Sequence, residues 1–130
     1  MLNGKTSIYP KTAFLKRDRD FLDLLERTIR QNYSSPDFDL QEMSALMQVG
    51  RRQMQRKLKA LVGCTPSEYL RTYRLRRSLL LLSEGASVRK VAQTTGFSSQ
   101  SYFASCFKAQ FGDTPTEYQK RQIDRRKSIE

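Results

Sequence analysis

Apolar residues recur along this chain at helical spacing, in segments separated by short polar breaks. Phe21, Leu22, Leu24, Leu25 and Ile29 form one such stripe and predict a helix over about 18–32, which Ser34-Ser35-Pro36-Asp37 interrupts. Asp39-Leu40-Gln41-Glu42 has the pattern of a capping box and opens a second helix, about Leu40 to Met47, followed by a turn at Gln48-Val49-Gly50. Met54, Leu58, Leu61 and Val62 then share one face of a third helix, about 51–62, which Gly63 stops. Thr65-Pro66-Ser67-Glu68 combines an N-cap, a proline at the first helical position and a glutamate at the third, and begins a long fourth helix ending at Ser83 before Glu84-Gly85. Ser87 caps a fifth helix over about 88–95, and Gly96-Phe97-Ser98 turns the chain into a sixth over about 99–111, with Phe103, Phe107 and Phe111 one turn apart. Thr114-Pro115-Thr116-Glu117 opens a seventh. Residues 1–17 show no sustained period and read as a linker or arm, and 124–130 as a basic tail expected to fray.

Part of this pattern occurs twice, 49 residues apart. Gly63-Cys64-Thr65-Pro66-Ser67-Glu68-Tyr69 returns as Gly112-Asp113-Thr114-Pro115-Thr116-Glu117-Tyr118, with Met54 matching Phe103 and Leu58 matching Phe107. Further back the register slips by one, so that Val49 matches Phe97 and Ser44 matches Ala92. A turn absorbs a single-residue insertion more easily than a packed helix does. The predicted fold is therefore all-α and homeodomain-like: seven helices in two helix-turn-helix lobes, about 18–65 and 85–121, joined by a long shared helix over about 66–84. In each lobe a short helix and a tight turn precede a second helix with one apolar and one polar face.

Charge adds a partner to this picture. The chain has 130 residues and a formal net charge of +11, with 24 Lys and Arg against 13 Asp and Glu, which points to nucleic acid or another anionic surface. The longest apolar run, Leu79–Leu82, is far too short to span a bilayer, and the first twenty residues lack the apolar stretch of a secretory leader. With no histidine and only two cysteines, Cys64 and Cys106, neither a metal site nor thiol catalysis is expected, and the cysteines read as reduced thiols. No glycine-rich phosphate loop is present, so no enzymatic activity and no cofactor are expected.

Ala92 with Gly96-Phe97-Ser98, then Gln100-Ser101-Tyr102-Phe103, Phe107-Lys108, Phe111-Gly112 and Thr114-Pro115-Thr116-Glu117-Tyr118, resemble the signature of the AraC/XylS family of bacterial transcription regulators. Arg74-Leu75 and Leu81-Leu82 resemble that family's linker helix, and the likeness covers about residues 38–121. The Arg56–Leu61 segment and the extra helix at 18–32 look most like output domains fused to response-regulator or hybrid sensor proteins. The resemblance implies a cytoplasmic domain that binds double-stranded DNA, acts with RNA polymerase and normally follows a sensory or receiver domain. By that reading the chain is a fragment rather than a free-standing short regulator.

The resemblance also assigns roles. The family's base readers match Arg52, Gln55 and Arg56; arginine can fork onto guanine and glutamine can pair similarly with adenine, each good pair discriminating by roughly 1–3 kcal/mol. Arg51 and Lys59 are expected on phosphate. On the sixth helix the exposed positions are Ser99, Gln100, Ser101, Tyr102, Ala104, Ser105 and Lys108, of which only Gln100 is a strong base reader. Many family members carry arginine at the position of Ser105. The expected division is that the first lobe chooses sequence and the second mostly positions. Tyr102 is expected either to touch a thymine methyl or phosphate or to pack on the neighbouring turn, and Arg71, Arg74, Arg76 and Arg77 cluster on the shared helix, Arg74 being a candidate structural pairing residue. Helical adaptors of protein partners and nonspecific nucleic-acid binders are the rival classes, and steep salt dependence with sequence preference separates DNA readers from both.

Overall fold

The computed structural model describes residues 15–129, which form seven α-helices: α1 Lys16–Asn32, α2 Leu40–Met47, α3 Arg51–Val62, α4 Pro66–Ser83, α5 Val88–Thr94, α6 Gln100–Phe111 and α7 Pro115–Ile129. There is no strand among the described residues. The expected arm lies almost wholly outside them, and α1 begins at Lys16, two residues before its expected start. The expected frayed tail is instead helical through Ile129. The residues divide into two compact units. One holds the described residues up to Asn32 together with Asp39–Glu68; the other holds Tyr33–Phe38 and everything from Tyr69 onward. The segment between α1 and α2 thus belongs to the second unit although both helices beside it belong to the first.

The first unit is built around α1. Its Phe21, Leu22, Leu25 and Ile29 are buried, as are Met43 and Met47 of α2 and Met54 and Leu58 of α3. Burying side chains of this size contributes about 1.5–3 kcal/mol each, which explains why a strongly charged helix such as α1 holds its place. Lys57 closes one edge, with its ammonium 3.9 Å from the Asp18 carboxylate and 4.9 Å from the centre of the Phe21 ring. Thr65 and Glu68 cap α4 reciprocally: the Glu68 N–H donates to the Thr65 hydroxyl at 3.1 Å and the Thr65 N–H donates to the Glu68 carboxylate at 2.8 Å.

The second unit packs on aromatic rings. Phe97 lies 5.0 Å from Phe103, Phe103 lies 5.7 Å from Phe107, and Phe107 meets Phe111 at 4.7 Å and Tyr118 at 5.6 Å between ring centres. Leu75, Leu82, Val91 and Ala92 complete this core. Thr114 and Glu117 repeat the reciprocal cap at 3.1 and 2.9 Å. Hydrogen bonding to the Thr114 backbone N–H first, and to the Thr114 hydroxyl second, holds the exposed Glu117 carboxyl below the usual carboxylate range. The Leu79–Leu82 run does not go wholly inside: Leu82 is buried and Leu79 and Leu81 are half-buried, but Leu80 is 64% exposed. Four consecutive residues wrap fully around a helix, so one of them must face out.

The far end of α4 is closed by α7. Gln119 donates to the Leu82 and Ala86 carbonyls at 3.0 and 2.6 Å, and Arg126 donates to the Ser83 carbonyl. Arg126 sits seven residues, two turns, beyond Gln119, so α7 must stay helical to deliver both.

Candidate nucleic-acid interface

The two units start their short helices, make their turns and end their second helices with the same local chemistry, although Ser99 caps the start of α6 while α3 begins after Gly50 with no side-chain cap. Asp39 accepts the Glu42 N–H at 3.0 Å and starts α2; Ser87 accepts the Lys90 N–H at 3.1 Å and starts α5. At the turns, Gln48 donates its backbone N–H to the Ala45 carbonyl and Val49 donates to Ser44, at 3.3 and 3.0 Å. Gly96 and Phe97 make the same two bonds to Gln93 and Ala92, at 3.2 and 3.0 Å. Both turn residues are left-handed, with φ of 56° at Gln48 and 86° at Gly96. The helices that follow, α3 and α6, have 12 residues each and end on the left-handed Gly63 and Gly112. The duplication read in the sequence is therefore a duplication of hydrogen bonds and core positions.

The two turns differ in what surrounds them. A Cβ at Gly96 would overlap the Tyr33 carbonyl oxygen and stand 2.9 Å from Arg74 Nε. Arg74 is the reason the chain is so close there. Its guanidinium donates to the Tyr33, Ser35 and Phe38 carbonyls at 2.9, 2.8 and 3.2 Å, and burial pulls its pKa down from the ordinary arginine value. Arg74 is thus a structural pairing residue. Arg77 is also engaged, stacked 5.5 and 6.0 Å from the Tyr33 and Tyr73 rings. Of the four arginines on α4, Arg71 is half-buried and Arg76 is exposed.

All five side chains singled out on α3 reach solvent. Arg51, Gln55 and Lys59 form one row at four-residue steps and Arg52 and Arg56 form the next; all are exposed, with Arg52, Arg56 and Lys59 turned away from buried Met54 and Leu58, Gln55 on the flank, and Arg51 on their side but open because it begins the helix. None of them forms an ion pair among the described residues. On α6, Gln100 and Lys108 lie in one row and Ser101 and Ser105 in the next, again exposed, while Ala104 between them is half-buried. Ser99 is exposed but caps α6, its oxygen accepting the Tyr102 N–H at 3.0 Å. Tyr102 fits both roles expected of it: its ring lies 5.9 Å from Phe97, yet the residue is 48% exposed. Beside the start of α6 lies a cavity of about 140 Å³ bordered by Arg89 and Gln93 of α5, which the sequence alone does not single out.

The cysteines are free and both half-buried. Burial and the nearby Glu68 carboxylate push the Cys64 thiol above its ordinary range, against an opposing pull from Lys59. Among the described residues no cluster of His, Cys, Asp or Glu is suited to hold a metal ion, and no helix is long and apolar enough to cross a membrane.

A family model of the helix-turn-helix domain matches residues 43–121, well over half of the chain. The chain belongs to the AraC-type helix-turn-helix family. The histidine kinase P4 of Formosa agariphila is 30% identical over 105 residues, covering 80% of this chain and 8% of the kinase. The transcriptional regulator GbdR of Pseudomonas aeruginosa is 34% identical over 114 residues, covering 87% of this chain and 31% of GbdR. The chain thus spans less than a third of the length of either relative. Among solved structures, the DNA-binding domain of AdpA, a global transcriptional factor captured with a target DNA, matches with a TM-score of 0.73 and 27% identity over 80% of this chain and 93% of that one. As an AraC-type domain the chain serves sequence-specific DNA binding in transcription regulation.

Proposed function

We propose that α3 and α6 are the two reading elements of this AraC-type domain and enter successive major grooves of one duplex. The observation that carries the proposal is the α3 face. Arg51, Arg52, Gln55, Arg56 and Lys59 are all exposed, and none of the cations is spent on an ion pair among the described residues. Arg52, Gln55 and Arg56 read bases there, and Arg51 and Lys59 hold phosphates. On α6, Gln100 reads, Ser101, Ser105 and Tyr102 make weaker contacts, Lys108 meets the backbone, and Ser99 orients the helix start. The site is asymmetric, with one strong and one weak cluster of preferred bases, because the two faces are unequal.

The upstream partner belongs to this reading as well. The small share of P4 that the chain matches, 8%, supports a role as one domain of a longer regulator with a receiver or sensor ahead of it and RNA polymerase as its target. It is the reading of a binding domain, with no catalytic step. Selecting sites from random duplex DNA with this chain tests it. Two clusters spaced by about one helical turn, roughly 34 Å, with unequal information content, are expected. Enrichment of no sequence, or of one symmetric palindrome, would overturn it.

A further inference from the structure

The two units carry their positive charge on different helices. In the first, α3 presents Arg51, Arg52, Arg56 and Lys59, while the supporting helix α2 offers Gln41 and Glu42 at its exposed start. In the second, α6 keeps only Lys108 on the equivalent face. There the supporting helix α5 has Arg89 and Lys90 at the positions that α2 fills with Gln41 and Glu42. The register is fixed by buried pairs, Met43 with Val91 and Ser44 with Ala92, and by the matching turn bonds. Charge has moved from the reading helix to the helix behind it.

The geometry gives that charge a place to act. Arg89 and Gln93 lie one turn apart on α5 and border the cavity of about 140 Å³ whose other edge is Ser99 and Gln100 at the start of α6, with Ala92 and Phe97 among its walls. Both side chains are exposed, and Arg89 forms no ion pair among the described residues. A guanidinium beside two amide side chains and two serines is a donor set for a tetrahedral anion, and among the described residues no carboxylate lines the cavity to oppose one. A phosphate seated there would adjoin the first turn of the reading helix, where a groove-bound α6 meets the backbone.

We propose that Arg89, assisted by Gln93, holds a DNA backbone phosphate beside α6, so that the second unit is fixed by its supporting helix and tolerates many sequences. The proposal rests on the DNA-reading function above and adds a contact that neither the base readers nor Lys108 supply. The test pairs Arg89→Gln with a selected duplex in which single phosphates of the weaker cluster are replaced by uncharged methylphosphonates. With the unsubstituted duplex, Arg89→Gln should weaken binding with the preferred bases unchanged, and lower the slope of log K against log salt by about 0.9. One methylphosphonate position should weaken the original chain but leave the Arg89→Gln variant unaffected, since the lost contact is the same. Arg89→Lys should recover the salt slope. Additive losses at every position, or altered base preference in the variant, would overturn the proposal alone. Failure of the original chain to select any duplex would overturn it together with the function it rests on. Because Arg89 is exposed, thermal unfolding of the variant should match that of the original chain.

Discussion

Gln48 and Gly96 occupy the same left-handed position in two turns with the same backbone hydrogen bonds, yet only one of them has room for a side chain. The helices behind those turns match in length and buried positions, yet one presents four cations and the other one. What the two units share is fixed by caps, turn bonds and core contacts, where a change leaves an orphaned amide or a void. Apart from the packing around Gly96, what they do not share lies on surfaces that folding leaves free. Duplicated packing is therefore poor evidence for duplicated recognition.

The sharpest way to break this comparison is to exchange the turn residues. Gly96→Gln drives a side chain into the Tyr33 carbonyl and Arg74, and should cost about 4 kcal/mol or more, read by urea unfolding. Gln48→Gly relieves a left-handed non-glycine residue and should shift stability by no more than about 1 kcal/mol. Similar losses from both would show that the turns are equivalent after all. Next come the cores. Phe107→Ala removes a ring that touches three others and should cost about 3–5 kcal/mol, while Leu58→Ala, equally buried, should cost about 2–5 kcal/mol.

Binding comes third. Arg56→Ala should weaken specific affinity by about 1–3 kcal/mol and relax one base position, whereas Ser105→Ala, at the matching place on α6, should change it by less than about 0.5 kcal/mol. A larger loss from the serine would invert the ranking of the units. The smallest and most symmetric effect lies at the caps: Thr65→Ala and Thr114→Ala should each cost about 1 kcal/mol. The Glu117 cap should also respond to pH. Its carboxyl is held low in the folded state, so its stabilisation is complete above the ordinary carboxylate range and fades as pH falls through the lowered one. Glu117→Gln should flatten that part of the stability profile in acid titrations.

Much of the fold was legible because its signals are local. Asp39, Ser87, Thr65 and Thr114 are capping residues three positions from the N–H groups they serve, and helical spacing locates Met54, Leu58, Phe103 and Phe107. The partners that sequence does not name lie far away in the chain, even where a pairing role was expected, as for Arg74. Arg74 reaches carbonyls 36 to 41 residues away, and Arg126 reaches one 43 residues away. A long polar side chain carries no sequence mark of whether it ends on solvent or on a remote carbonyl, and this is why the tail read as loose. Which side chains of α3 and α6 reach solvent was legible, because exposed positions follow from buried ones. Arg89 was not, because its meaning appears only when α5 is set beside α2.

The crowding at Gly96 makes the two turns exchangeable in one direction only. A chimera that copies only the second unit's turn residue into the first position brings a glycine into open space and should fold. The reverse chimera carries Gln48 into the Tyr33 carbonyl and should not, unless the residue is trimmed to glycine on the way. Swapping of reading heads among such domains is then a ratchet, in which turns drift from the confined position to the roomy one and return only with a second mutation.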